Sequence, residues 1–418
     1  MTALTRVAIL FCGQGMATLI EYYPDGDKDS IPEKLVLIDF GGNQRYAEEA
    51  SAYVVEKLML QASAGISPSF EAVVISHQDG DHLSLLPTLT EAINTSGIQV
   101  TCDNIYTGGA NWSKANKKKV EAFAEAMVDE DEEIDVSFNA PFESDYAKAK
   151  KREDLGDITS FGNTFVRVII SGLKLSSGGP DIIRNASSTV VAVENGEWSV
   201  ILPGDATYHT MAEVNGFYKK WGTKPLIPTV FMLEIPHHGA LRTAVENYTA
   251  KTPLAELDFS IITAFATYLA PQEVVASAGP RNNHAHPVKE VIDVFVPTLS
   301  TSYSRNYVAY VFDKKKSKKV EGWEQFSTTK GIRTTVFQIE GTVLYGNLFY
   351  NIRDSTALTR EVPEFEFEPL GTLDDLVARY GEAAANDPWL RDAMAGRTAA
   401  PRDEILRAPP PTSERDAG

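Results

Sequence analysis

Six of the seven histidines fall in three short clusters, and this placement constrains the chain more than any other feature. The first, Ser76-His77-Gln78-Asp79-Gly80-Asp81-His82, begins directly after the apolar run Val73-Val74-Ile75. The second, Pro236-His237-His238-Gly239, follows an apolar stretch that ends at Ile235. The third, Asn283-His284-Ala285-His286-Pro287, precedes a segment of helical spacing over residues 288–295. Asp205, in Leu202-Pro203-Gly204-Asp205, ends the strand-like run 198–202 in the same way. The recurring order is an apolar strand followed by imidazole or carboxylate groups in a loop. Zinc, manganese and iron accept those donors, and sheet-based enzymes build sites where strand ends meet. An Asp-Gly turn or a His-His turn taken alone can be purely structural, and a lone Gly-Asp ends many strands. The ordered set is hard to obtain that way. His209 is the exception, a neighbour of Asp205 with no assigned role.

The remaining pattern is rich in strands. Apolar runs bounded by Gly, Asn or Pro predict strands at 7–11, 18–22, 35–39, 73–75, 164–170, 188–193, 198–202, 259–264, 274–277, 307–312, 334–339 and 343–350. Helical spacing appears over 46–61, 83–93 and 288–295. Two facing β-sheets with helices outside satisfy this α/β pattern better than a single doubly wound sheet, because many strands are joined by short turns. Residues 1–352 are expected to form one domain with a charged insertion at about 103–160. Residues 353–418 form an acidic, Pro-containing extension, expected to be partly disordered, with one short helix at 373–380.

Net charge is -18, which opposes a surface coated for nucleic acid. Local lysine clusters run against that sum, at Lys114-Lys117-Lys118-Lys119, at 148–152 and at 314–319, with acidic charge concentrated at 129–135 and in the extension. Such runs are commonly solvated faces; Lys117 and Lys118 are the candidates for a polyanion track. The apolar run at 7–11 is too short to cross a bilayer or to serve as a signal-peptide core. Two cysteines fit a reducing compartment, so a cytoplasmic protein without membrane association is expected.

His77-x-Asp79-x-Asp81-His82, Gly204-Asp205, Pro236-His237-His238-Gly239 and His284-x-His286-Pro287, in that order, resemble the metallo-β-lactamase superfamily. Within it, the soluble hydrolase domain of ComEC-like competence proteins is the nearest likeness. Cys12-Gly13-Gln14-Gly15, the run 37–42 ending in Gly41-Gly42, and Asn185-Ala186-Ser187-Ser188 also resemble that branch, so the likeness spans roughly residues 6–300. The resemblance implies a four-layer αββα sandwich and a metal-dependent hydrolase using a metal-activated water. It implies His77, Asp79, Asp81, His82, Asp205 and one of His237 and His238 (His238 favoured) as ligands to one or two Zn2+ or Mn2+ ions. Asp205 would bridge, Asp81 would also orient or deprotonate the water, and His284 and His286 would donate a proton or hold a phosphate. Asn185 is a candidate for substrate binding or for partly replacing a ligand. Two departures stand out: Asp79 occupies a usual histidine position, and no histidine lies between His82 and His209. The expected activity is phosphodiester or nucleic-acid cleavage. Hydrolysis of a small cyclic nucleotide, phosphoester or lactone, and a partner-activated effector with a protein docked on the extension, are the alternatives.

Overall fold

A strand buried along its whole length has to be covered on both faces. In a computed structural model that condition holds for seven of the described strands, and it dictates the layering. Residues 2–127, 136–138, 149–154, 157–222, 225–249, 251–277, 286–300, 302–312, 323–339, 342–353 and 363–372 are described. The chain opens with β1 (Leu4–Ile9), β2 (Ala17–Tyr23), β3 (Lys34–Phe40), α1 (Ala47–Ser63), β4 (Ser69–Phe70) and β5 (Ala72–Ile75). There follow α2 (Gly80–Leu83), α3 (Leu86–Ser96), β6 (Thr101–Cys102), β7 (Ile105–Thr107), α4 (Lys114–Glu125) and β8 (Val136–Ser137). The middle holds β9 (Asp157–Phe161), β10 (Thr164–Ile170), α5 (Pro180–Ala186), β11 (Val190–Asn195), β12 (Trp198–Leu202), α6 (Tyr208–Trp221) and β13 (Thr229–Glu234). Then come α7 (Leu241–Ala244), α8 (Ser260–Leu269), β14 (Glu273–Ala276) and α9 (Lys289–Phe295). The last elements are β15 (Ser302–Phe312), β16 (Trp323–Lys330), β17 (Ile332–Thr334), β18 (Val336–Ile339), β19 (Thr342–Arg353) and β20 (Glu364–Thr372).

The larger sheet runs β16-β15-β18-β19-β1-β2-β3-β5-β7-β8, with β20 also on β19; the smaller runs β17-β14-β13-β12-β11-β10-β9. Alternate residues of each strand point to opposite faces, and the cores divide accordingly. Val7, Ile9, Ile20, Val36 and Ile38 share a core with Val191, Val193, Val200 and Leu202 of the other sheet, so the two sheets pack face to face. Their sequence neighbours Ala8, Leu19, Leu35 and Leu37 pack instead with α1, α3 and α4. On the other side Val190, Ala192 and Ile201 pack with α6, α8 and α9. Parallel neighbours such as β3 and β5, or β12 and β13, need crossover connections, and α1 and α6 supply them.

Three expectations change. Residues 259–264 do not form a strand: they open α8, whose buried Ile262, Phe265, Ala266 and Leu269 lie on one helical face, a period of 3.6 that a short apolar run conceals. Helix α6, after Asp205, has no counterpart in the sequence reading. The boundary at Ile352 cuts through a pairing, since β20 within the extension hydrogen-bonds along β19 from Leu344 to Asn351. Its alternation of Glu364, Glu366 and Glu368 with Phe365 and Phe367 is that of a strand with one polar face. The acidic run 129–135, lysines 148 and 314–319, His284 and the helix expected at 373–380 lie outside the described residues. Among the described residues no helix is long and apolar enough to cross a membrane.

Candidate metal centre

The carboxyl ends of four strands deliver the cluster. β3 carries Asp39 as its penultimate residue, β5 leads into the 76–82 loop, β12 into Gly204-Asp205, and β13 into the turn at Pro236–Gly239. Asp39 accepts from the Ser76 backbone amide (2.7 Å) and hydroxyl (2.6 Å), which pins the loop after β5 to the end of β3. Asp39, His237 and His238 all adopt positive φ, at 52°, 48° and 52°. Left-handed backbone is costly for such residues and persists where the surroundings enforce it. At the tandem histidines it turns two consecutive imidazoles to an interplanar angle of 89°.

Asp205, 1% exposed, lies at the middle. Its Oδ1 stands 3.1 Å from His82 Nε2 and 4.0 Å from His238 Nε2. Its Oδ2 stands 3.5 Å from His77 Nε2 and 3.1 Å from His237 Nδ1. Asp81 Oδ2 is 3.5 Å from His238 Nε2, and Asp79 Oδ2 is 3.8 Å from His77 Nε2. Ligand atoms of His77, His82 and Asp205, and separately of Asp81, His82 and His238, fall within 4.8 Å of one another. Donors about 2.1 Å from a tetrahedral ion are separated by roughly 3.4 Å, so these spacings are those of a coordination shell.

The donors are also prepared for it. His238 Nδ1 donates to the Ser277 carbonyl (2.6 Å), and His82 Nδ1 lies 2.8 Å from Asp39 Oδ2. With the proton on Nδ1 in each ring, Nε2 presents its lone pair to the centre, the outer-shell arrangement that orients metal-ligating histidines. His77 Nε2 and His238 Nε2 are buried and make no hydrogen bond. Orphaned buried nitrogens at the meeting point of three aspartates fit a cation. The residues present therefore suit a divalent metal ion.

Electrostatics agree. Burial disfavours a charged His82, yet Asp205 and Asp39 outweigh it and hold its pKa well above the ordinary value. Burial likewise works against Asp205, but His237, His82 and His77 hold its carboxyl well below the usual range. Burial lowers the His237 pKa, with Asp205 pulling the other way. Burial pushes the Glu234 carboxyl, at the end of β13, up to about 7 against the pull of His238. Since metals take neutral imidazole, metal binding at His82 competes with its protonation.

His77, Asp79, Asp81, His82, Asp205, His237 and His238 are thus brought together. His238 joins Asp81 and His82, whereas the His237 Nδ1 lies 2.9 Å from the Asn185 amide. Asn185 is itself buried and also donates to Asp205 (3.3 Å), so its amide nitrogen positions these groups, while its Oδ1 is buried without a hydrogen-bond partner among the described residues. His286 lies edge-on to His237 with ring centroids 5.8 Å apart. Lys117 and Lys118 share no hydrogen bond or ion pair with the cluster; Lys117 sits 5.0 Å from the Phe138 ring centroid. The loop reaches their helix through Gln78, whose side chain accepts from the Ser113 amide and whose carbonyl accepts from Asn116. His209 packs against Tyr208 with ring centroids 4.2 Å apart and tilted by 37°, away from these contacts.

Asp39, Glu234 and Arg184 were not anticipated. For Asp39 the signal was present, since a carboxylate at the end of an apolar strand before Gly41-Gly42 has the same form as the other ligands. Asp39→Asn is expected to lower metal affinity about 10- to 100-fold, because the amide holds His82 less firmly. Competition with a chromogenic chelator measures this, and an unchanged affinity would remove Asp39 from the centre.

No family model matches the chain, and no curated protein is similar to it in sequence. Solved structures with which it aligns include the metallo-β-lactamase fold protein YhfI from Bacillus subtilis. That alignment has 13% identity and a TM-score of 0.37, over 72% of this chain and 94% of that one. CmlA, a diiron β-hydroxylase from Streptomyces venezuelae, aligns at 12% identity and a TM-score of 0.36, over 77% of this chain and 54% of CmlA. A diphosphatase from the PhnP family aligns at 12% identity and a TM-score of 0.29, over 65% of this chain and 85% of that one. Scores this low add no weight of their own to what the arrangement of side chains shows: a mixed α/β protein whose strand ends assemble a His/Asp cluster suited to a metal.

Proposed function

We propose that this protein is a metal-dependent hydrolase of the metallo-β-lactamase type, related to ComEC-like hydrolase domains, that cleaves phosphodiester bonds. The observation that carries the reading is Asp205, with one oxygen toward His82 and His238 and the other toward His77 and His237. That is the disposition of a bridging carboxylate, reached in the same chain order as the sequence motifs. The division of apolar residues among three cores supports a four-layer αββα sandwich. The nitrogen and oxygen donors suit one or two Zn2+ or Mn2+ ions.

A divalent ion bound here supplies Lewis acidity and lowers the pKa of attached water. His82 and His238, each anchored through Nδ1, orient the donors and keep the floor of the site rigid. Asp81, ionised because His238 and His82 overcome its burial, offers Oδ2 to take or direct a water proton. In this reading His286, whose ring lies beside that of His237, returns a proton to the leaving oxygen, with His284 as its expected companion. Nucleic acid is the favoured substrate. The net charge of -18 favours the second reading, a small phosphoester or lactone. We also propose that the acidic extension docks a protein partner and that the protein works in the cytoplasm.

Incubating the pure protein with linear DNA, RNA, bis(p-nitrophenyl) phosphate and a homoserine lactone, with manganese or zinc, tests the reading. Metal-dependent cleavage that Asp81→Ala removes is expected. Intact phosphodiesters with every metal, or cleavage equal in the variant, would overturn it; lactone cleavage alone would select the second reading.

A further inference from the structure

Asp79, Asp81 and Asp205 meet at the centre with Asp39 behind His82, so the phosphates of a polyanionic substrate that lie beyond the metal itself meet repulsion unless further cations stand nearby. Two arginines do. Arg184, on α5 immediately before Asn185, donates from Nε to Asp79 Oδ1 (2.9 Å) and from Nη2 to Asp181 Oδ1 (2.9 Å). Arg242, on α7 just after the tandem-histidine turn, donates from Nη1 to the other oxygen of Asp181 (3.2 Å). One carboxylate therefore ties both guanidiniums together. Arg184 Nη1, and Nε and Nη2 of Arg242, have no hydrogen-bond partner among the described residues.

These contacts are poor candidates for a stabilising role. The side chains of Arg184, Asp181 and Arg242 are 32%, 52% and 56% exposed, and ion pairs that open to water contribute about 0–1 kcal/mol. Their position is informative instead. Asp79 holds Arg184 with one oxygen while the other lies 3.8 Å from His77 Nε2, so the guanidinium stands one carboxylate's width from the centre. That is too far out for the bond being cut and suited to the next phosphate along. A guanidinium presents a fork of N–H donors that matches phosphate oxygens, which an ammonium does not.

We infer that Arg184 and Arg242 form an anion-binding arm that takes a phosphate group flanking the scissile bond. The inference rests on the phosphodiesterase reading and gives it a substrate requirement: a second phosphate one nucleotide away. Calorimetric binding of the dinucleotides pTpT and TpT to the metal-loaded full chain isolates the arm, since they differ only in the flanking 5′-phosphate. Wild type is expected to bind pTpT about tenfold more tightly, one charge-assisted contact's worth. Both Arg242→Gln and the Arg184→Gln/Arg242→Gln double variant should lose most of that preference. Arg242→Gln should do so at unchanged metal content, because Arg242 touches Asp181 and not Asp79. Equal affinities in wild type, or a preference that survives in both variants, would overturn the arm. Tight, arginine-dependent pTpT binding without any cleavage would leave the arm standing and sink the phosphodiesterase reading; cleavage with no arginine dependence would do the reverse.

Discussion

Asp205→Ala is expected to leave a folded protein that no longer retains metal. Both oxygens of this buried carboxylate face histidine nitrogens, so one substitution removes a donor from each side of the cluster. Losing an outer-shell partner alone costs 10- to 100-fold in affinity, so loss of this ligand should cost at least about a hundredfold. Elemental analysis after gel filtration reads the result directly, with circular dichroism to show that the sheets persist. Stoichiometric metal in the variant would remove Asp205 from its central role. Affinity in the wild type should rise with pH through the neutral range. The metal-free pKa of His82 is raised by Asp205 and Asp39 against the effect of burial, so binding must release its proton, and falling pH opposes that release.

The second large effect is steric. A Cβ at Gly41 would lie 2.3 Å from the His82 backbone nitrogen and 2.4 Å from the Asp81 carbonyl carbon and Leu83 nitrogen. Those are backbone atoms of the ligand loop and cannot rotate away. Gly41→Ala should therefore push Asp81 and His82 off the centre, with a stability loss of about 1–3 kcal/mol and loss of metal. Gly80→Ala is the control within the same loop, since nothing lies within 4 Å of its Cβ, and its stability should change by no more than about 0.5 kcal/mol. Thermal melts and metal content of the two variants, compared side by side, decide the matter. Identical behaviour would mean that the approach of β3 to the loop does not hold the ligands.

The periodicity of the central strands was legible because alternation between two apolar faces leaves unbroken runs such as Val73-Val74-Ile75 and Leu35-Val36-Leu37-Ile38. The helix α8 was misread because its first residues, Ile261-Ile262, are β-branched and apolar, and the helical face shows only over the full ten residues. Strand β20 was hidden in an acidic segment because its order comes from pairing with β19, a contact that local composition cannot report.

For the candidate site, sequence alone determined which residue types stand at which strand ends, since the chemistry of imidazole and carboxylate is local and each ligand announces itself after an apolar run. It left the set one histidine short and gave His238 only a slight preference over His237. Those questions turn on direction, and direction belongs to the tertiary structure. Two successive left-handed residues aim the neighbouring rings apart, putting His238 with Asp81 and His82 and setting His237 against Asn185 and the second oxygen of Asp205. The arginines beside them were invisible for the same reason. Arg184 and Arg242 are 58 residues apart in the chain, and only the fold sets both against Asp181 at the edge of the centre.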